Sequence, residues 1–126
     1  MLACVPQCAF EVERGPDWLL VRARRIDASI DAPQFAQRVW RLLQQHFTYR
    51  LVLELDGLQT LTNAFVEQLL MLQRQIEEQG GIMRLCGLSP RNCRVLRARG
   101  LDDRLHPYRD REEAVMGRPH PGETAT

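Results

Sequence analysis

Hydrophobic positions along the chain follow two alternating rhythms: short apolar runs of strand type, and longer stripes at helical spacing. Ala9 to Glu13 and Trp18 to Ala23 are apolar-rich runs, and Arg14-Gly15-Pro16 between them carries turn residues. Together they predict an antiparallel hairpin. Asp31-Ala32-Pro33-Gln34 reads as a helix start, with Asp31 as N-cap, proline in the first turn and Gln34 three residues after the cap. Phe35, Val39, Leu42 and Leu43 then recur at helical spacing towards an end near His46. Arg50 to Asp56 (RLVLELD) sets Leu51, Leu53 and Leu55 on one face and Val52 on the other, which predicts a central strand covered on both sides.

After a loop over Gly57 to Leu61, a second helix carries Phe65, Val66, Leu69, Leu70, Leu72 and Ile76 and stops at Gly80-Gly81. Ile82 to Cys86 is another short strand. Ser89-Pro90 caps a third helix that runs to Gly100, and Arg104 to Pro107 reads as a last strand. Asp110 to Met116 (DREEAVM) has the D-x-x-E form of a capping box and predicts a short final helix. The order β-β-α-β-α-β-α-(β)-α specifies a single α/β domain over residues 1–116. Its sheet is expected to be mixed and mostly parallel, with the antiparallel hairpin at one edge and helices packed on it. The tail over residues 117–126 has too little apolar content to pack and is expected to be disordered.

Composition narrows the function without naming it. A chain of 126 residues suits one domain. Its net charge of +1 supplies no field to draw it onto nucleic acid or an anionic membrane. Every one of the 17 basic residues is arginine. Arg91, Arg94 and Arg97 recur along the third helix and read as a solvated face, since no aromatic residues interleave them. No apolar run approaches the roughly 20 residues that cross a bilayer, and MLACVPQCAF lacks the build of a signal peptide. The expected address is the cytoplasm, without membrane insertion. Cys4, Cys8, Cys86 and Cys93 are then expected as reduced thiols, and no second compact pair completes a zinc site with Cys4 and Cys8. His46, His106 and His120 have no catalytic partner in sequence. The carboxylate pairs Glu77-Glu78, Asp102-Asp103 and Glu112-Glu113 are adjacent and point apart on a helix. Neither an enzyme nor a cofactor is expected.

What remains is the segment LQTLTNAFVEQLL, Leu58 to Leu70, in which Thr60, Thr62 and Asn63 stand where a helix begins and free backbone N–H groups meet water. Strand, loop and helix together resemble the central motif of STAS domains, the fold of bacterial anti-sigma factor antagonists. That motif runs V-x-L-D-L-S-G-V-x-x-[IM]-D-S-S-G-L-x-x-L-L, and here it stands as L-V-L-E-L-D-G-L-Q-T-L-T-N-A-F-V-E-Q-L-L. The resemblance extends from about Trp18 to Val115. It takes in Arg25-Ile26-Asp27 as the family's x-L-D, Gly80-Gly81 as its G-G, Val95-Leu96 with Gly100-Leu101-Asp102, and the closing Glu112, Glu113 and Ala114.

The departures carry the functional expectation. Where the family has D-S-S-G, this chain has Thr62-Asn63-Ala64-Phe65, so the phosphoacceptor serine falls on Asn63, which cannot be phosphorylated. The resemblance implies a regulatory module that binds a kinase-like anti-sigma factor and is switched by a phosphate at the helix start. Here that switch is expected to be lost, with Thr62 as a substitute acceptor. Asp27, Thr60, Thr62, Asn63, Ala64 and Phe65 are the expected partner-binding residues. Phe65 reads either as an aromatic anchor for the partner or as a residue turned into the core. A second implied role is that of a STAS subunit on the ATPase of a lipid-transport ABC complex, with Thr62 facing the ATPase. A monomer or weak dimer is expected.

Overall fold

The computed structural model describes residues 9–24 and 26–117, without the side chains of residues 29 and 30. Cys4, Cys8, Arg25, His120 and the tail beyond Gly117 lie outside the described residues. The elements follow the expected order: β1 (Ala9–Arg14), β2 (Leu19–Arg24), α1 (Ala28–Gln45), β3 (Arg50–Glu54), α2 (Asn63–Glu78), β4 (Ile82–Cys86), α3 (Pro90–Ala98), β5 (Pro107–Tyr108) and α4 (Arg111–Met116).

They build one five-stranded sheet in the order β1-β2-β3-β4-β5. β1 pairs with β2 antiparallel, Val12 opposite Val21, and the other neighbours are parallel, with Leu51 opposite both Leu19 and Met83. This is the mixed sheet that the alternation of strands and helices specifies. Because each parallel strand lies beside its predecessor, right-handed crossovers put α1, α2 and α3 on one face. The period of two then sorts the side chains. Leu19, Val21, Leu51, Leu53, Met83 and Leu85 join Phe35, Phe65 and Leu96 in the main core. Trp18, Leu20, Val52 and Cys86 point the other way and meet Ala114 of α4 in a smaller cluster. Val52 is thus buried on the second face, as its place in a central strand requires.

Most boundaries fall within two residues of the sequence reading, and two differ by more. α1 begins at Ala28, so Asp31 is not its N-cap; the buried Asp31 carboxylate lies one turn inside the helix and accepts from the Asp27 N–H at 2.8 Å. Pro33 accordingly stands inside α1 and not in its first turn. The parallel bridge between Ile26 and Leu58 holds the chain just before Ala28. The last strand is Pro107–Tyr108 and not Arg104 to Pro107, because residues 102–105 form a turn whose Leu105 drops into the core. The other caps agree with the reading. Ser89 accepts from the Asn92 N–H, Asp110 from the Glu113 N–H, and Glu113 reaches back to the Arg109 N–H at 2.9 Å.

Gly80 and Gly81 close α2 for separate reasons. Gly80 takes φ +76, a left-handed conformation that glycine adopts without cost. A Cβ on Gly81 would lie 2.0 Å from the Tyr49 carbonyl oxygen, so only a residue without one lets α2 turn into β4 beside β3.

Candidate functional site

The loop from β3 to α2 emerges at the C-terminal end of the sheet, where the strands of a parallel sheet present their loops to ligands. Its sequence LQTLT alternates inward and outward: Leu58 and Leu61 are buried, while Gln59 and Thr60 are exposed. Three connections hold it. Asp56 at its start accepts two hydrogen bonds from Arg22, one of them at 3.2 Å, and the guanidinium keeps this carboxyl below its usual range. Leu58 bridges to Ile26 in the loop before α1.

The third is Asn92 of α3, which is 1% exposed. Its Oδ1 accepts from the Leu61 N–H at 3.0 Å, and its Nδ2 donates to the carbonyls of Leu58 at 3.1 Å and Gln59 at 3.3 Å. One amide side chain thus satisfies three backbone groups of the loop, and those of Leu61 and Leu58 would otherwise be buried without partners. The sequence reading passed over Asn92. The signal was there: a polar residue one turn before Leu96, on the stripe that faces the core.

Between the two loops lies a cleft of about 230 Å³ lined by Ile26, Asp27, Ala28, Gln59, Thr60 and Thr62. Asp27 and Thr60 are exposed at its rim, and Thr60 makes no hydrogen bond among the described residues. Thr62 is half-buried and is the N-cap of α2, its Oγ1 accepting from the Phe65 N–H at 3.2 Å. Thr62→Ala is expected to cost about 1 kcal/mol of stability in chemical denaturation, and Thr62→Ser to recover most of it, because either hydroxyl caps the helix.

Asn63 and Ala64 follow, both exposed on the first turn of α2. The Asn63 Oδ1 accepts from Arg99 Nη1 at 3.3 Å, so a cation from the end of α3 stands against the position where the family motif has its serine. Arg99 follows Arg91, Arg94 and Arg97 at the end of the third helix, and only the tertiary fold brings it here. Asp27, Thr60, Thr62, Asn63 and Ala64 therefore gather on one surface around the start of α2.

Phe65 does not join them. It is 0% exposed, with its ring 4.6 Å from that of Phe35 between α1 and α2. Of its two readings the core one holds, and the expectation of a surface anchor is corrected. Thr62 and Asn63 face outward at the helix start, so the stripe Phe65-Leu69-Leu72-Ile76 falls on the inner face.

Among the described residues no cysteine lines this cleft. Cys86 lies under α4 on the far face, where burial pushes its thiol up to about 12. The Cys93 thiol is likewise raised by burial. Among the described residues no group of three His, Cys, Asp or Glu side chains could hold a metal ion, and no helix is long and apolar enough to cross a membrane.

The family model described as STAS domain matches residues 11–114. The chain belongs to the STAS domain family. Solved structures repeat the same STAS architecture. An anti-sigma factor antagonist from Mycobacterium paratuberculosis superposes with a TM-score of 0.71 at 19% identity, over 87% of this chain and 92% of that one. An anti-sigma-factor antagonist (STAS) domain protein from Planctomyces limnophilus gives 0.65 at 20% identity, over 86% and 96%. The Bacillus cell fate determinant SpoIIAA in its phosphorylated form gives 0.61 at 20% identity, over 86% and 98%. A comparison with curated proteins finds no match.

Proposed function

We propose that this STAS domain is a regulatory protein-binding module that docks a kinase-like anti-sigma factor through the start of α2, from Thr62 to Ala64, without the serine switch. Phe65 supports that surface from beneath. The observation that carries the reading is Asn63, exposed on the first turn of α2 and bonded to Arg99, where the motif calls for a phosphorylatable serine. A neutral amide there resembles the unphosphorylated serine in charge, and no kinase can convert it. The domain would stay in the binding-competent state unless a neighbouring hydroxyl takes the phosphate. Thr62 is the substitute acceptor proposed from the motif. Its hydroxyl is engaged in the cap, whereas that of Thr60 is open at the cleft.

The test begins with affinity purification of the tagged chain from its own cells, and mass spectrometry of both the partners and the Thr60/Thr62 peptide. A kinase-like anti-sigma factor should be recovered. Asn63→Glu, which restores the negative charge of a phosphorylated state, should weaken that complex about tenfold or more while the fold stays intact. Unchanged affinity for Asn63→Glu and for Ala64→Arg would remove the start of α2 as the docking face. Recovery of an ABC ATPase in place of the anti-sigma factor would move the assignment to the transport subunit.

A further inference from the structure

The sheet face that carries α4 treats its cations in two ways. Towards the C-terminal ends of the parallel strands they are paired: Arg22 with Asp56, Arg24 with Glu11 at 3.3 Å, and Arg111 with Glu54 at 2.5 Å and Glu13 at 3.2 Å. At the opposite pole, Arg50 and Arg84 on this face, and Arg14 on the face of α1 opposite Leu19, meet no carboxylate among the described residues. Arg14 Nη1 donates to the His46 carbonyl at 2.8 Å. The guanidinium carbons of Arg50 and Arg84 lie 4.5 and 4.9 Å from the centre of the Trp18 ring. Arg84 Nη1 also donates to the Ala114 carbonyl at 2.8 Å, at the C-terminal end of α4. Glu13 and Glu54, the acids nearest to Arg14 and Arg50 in sequence, are taken by Arg111, and among the described residues Asp17 and the Glu77-Glu78 pair form no ion pair with these three.

Phe47 stands at the same pole, in the turn from α1 to β3. Its φ of +53 lies in the left-handed region, where a bulky side chain is strained and glycine or asparagine is usual. It is also 88% exposed, so the ring gains almost nothing from packing to offset that strain. Two hydrogen bonds tie the turn: the Phe47 N–H donates to the Gln44 carbonyl and, two residues on, the Tyr49 carbonyl accepts from the Ile82 N–H at 3.0 Å.

We propose that this pole is a second docking surface, separate from the start of α2, which takes an acidic segment of a partner protein. Phe47 is its anchor, and Arg14, Arg50 and Arg84 meet the partner's carboxylates. Charge complementarity selects the occupant: three guanidiniums without carboxylates match an acidic chain. Two of them are already fixed against Trp18, so little side-chain freedom is lost when a carboxylate engages their planar forks. Exposed aromatics beside arginines are also the residues in which interface binding energy concentrates. An anionic bilayer offers charge to the same cations, but one exposed ring inserts little apolar area and a net charge of +1 adds no long-range attraction.

The probe is the peptide Glu-Glu-Leu-Phe-Glu-Glu-Leu-Phe-Glu-Glu, with lysine in place of glutamate as its control, titrated into the isotope-labelled full chain while amide resonances are followed. Shifts are expected at Phe47, Arg50 and Arg84, with none at Thr60 to Asn63 and none from the lysine peptide. Phe47→Gly and Arg50→Glu should each weaken binding about tenfold or more. Phe47→Gly should also melt at or above the temperature of the unaltered chain, because glycine suits the positive φ, so its loss of binding cannot be put down to unfolding. Failure of the acidic peptide to bind, binding at the start of α2, or full affinity in Phe47→Gly overturns the proposal. Phe47-dependent binding to phosphatidylglycerol vesicles without peptide binding would assign the pole to lipid, and Phe47-dependent self-association in sedimentation would assign it to a second copy; either result overturns it too.

Discussion

Phe65→Ala is expected to lower the unfolding free energy by about 3–5 kcal/mol, read as a fall in the urea midpoint at unchanged slope. The ring is fully buried and packs at a tilt of 45° against Phe35, which in turn meets Phe10 of the edge strand at 5.9 Å. Truncation removes the transfer energy of the ring and leaves a cavity beneath the first turn of α2, where neighbours from α1 and α2 can collapse only in part. Phe65→Leu keeps most of the volume and should cost well under half as much. A loss below about 1 kcal/mol for Phe65→Ala would contradict this packing, since truncations on that scale belong to exposed side chains. The same variant separates support from contact. Any loss of partner affinity in Phe65→Ala should be recovered by Phe65→Leu, which refills the space without restoring an aromatic ring.

Asn92→Ala is the second large effect, an expected loss of about 3 kcal/mol with a local signature. Removing the side chain leaves the Leu61 N–H and the Leu58 carbonyl buried without their partner, and each such group costs about 1–3 kcal/mol. Hydrogen exchange at the Leu61 amide should accelerate beyond what the global loss explains, because the loop loses the contact that ties it to α3. Asn92→Asp should not rescue it. The aspartate keeps an acceptor for the Leu61 N–H, but it loses the Nδ2 donor to two carbonyls and places a charge in a buried site. Wild-type exchange at Leu61 in Asn92→Ala would show that Leu58 and Leu61 fix the loop by burial alone.

The two variants touch opposite kinds of information in the chain. The stripe from Phe65 to Ile76, the alternation in Arg50 to Asp56, the capping residues Ser89 and Asp110, and the stop at Gly80-Gly81 are local patterns, each complete within one or two turns. From them the order of elements, the mixed sheet with its antiparallel edge and the surface around Thr62 and Asn63 are legible, because strands that alternate with helices admit few topologies. The motif in Leu51 to Leu70 and Gly80-Gly81 likewise pointed to the family to which the chain belongs.

The tertiary structure decided everything that depends on partners distant in sequence. Asn92 meets the site loop about thirty residues upstream, and Arg99 meets Asn63 across 36 positions. The start of α1 lies ahead of Asp31, just after Ile26 is held by Leu58, and the last strand moved to Pro107 because Leu105 was needed in the core. Phe65 was even between surface and interior until α1 set Phe35 against it. Periodicity tells which face of a helix is apolar, but the direction in which one residue points, and the polar groups it satisfies, are fixed only when elements pack, since burial and hydrogen bonding are properties of neighbours in space.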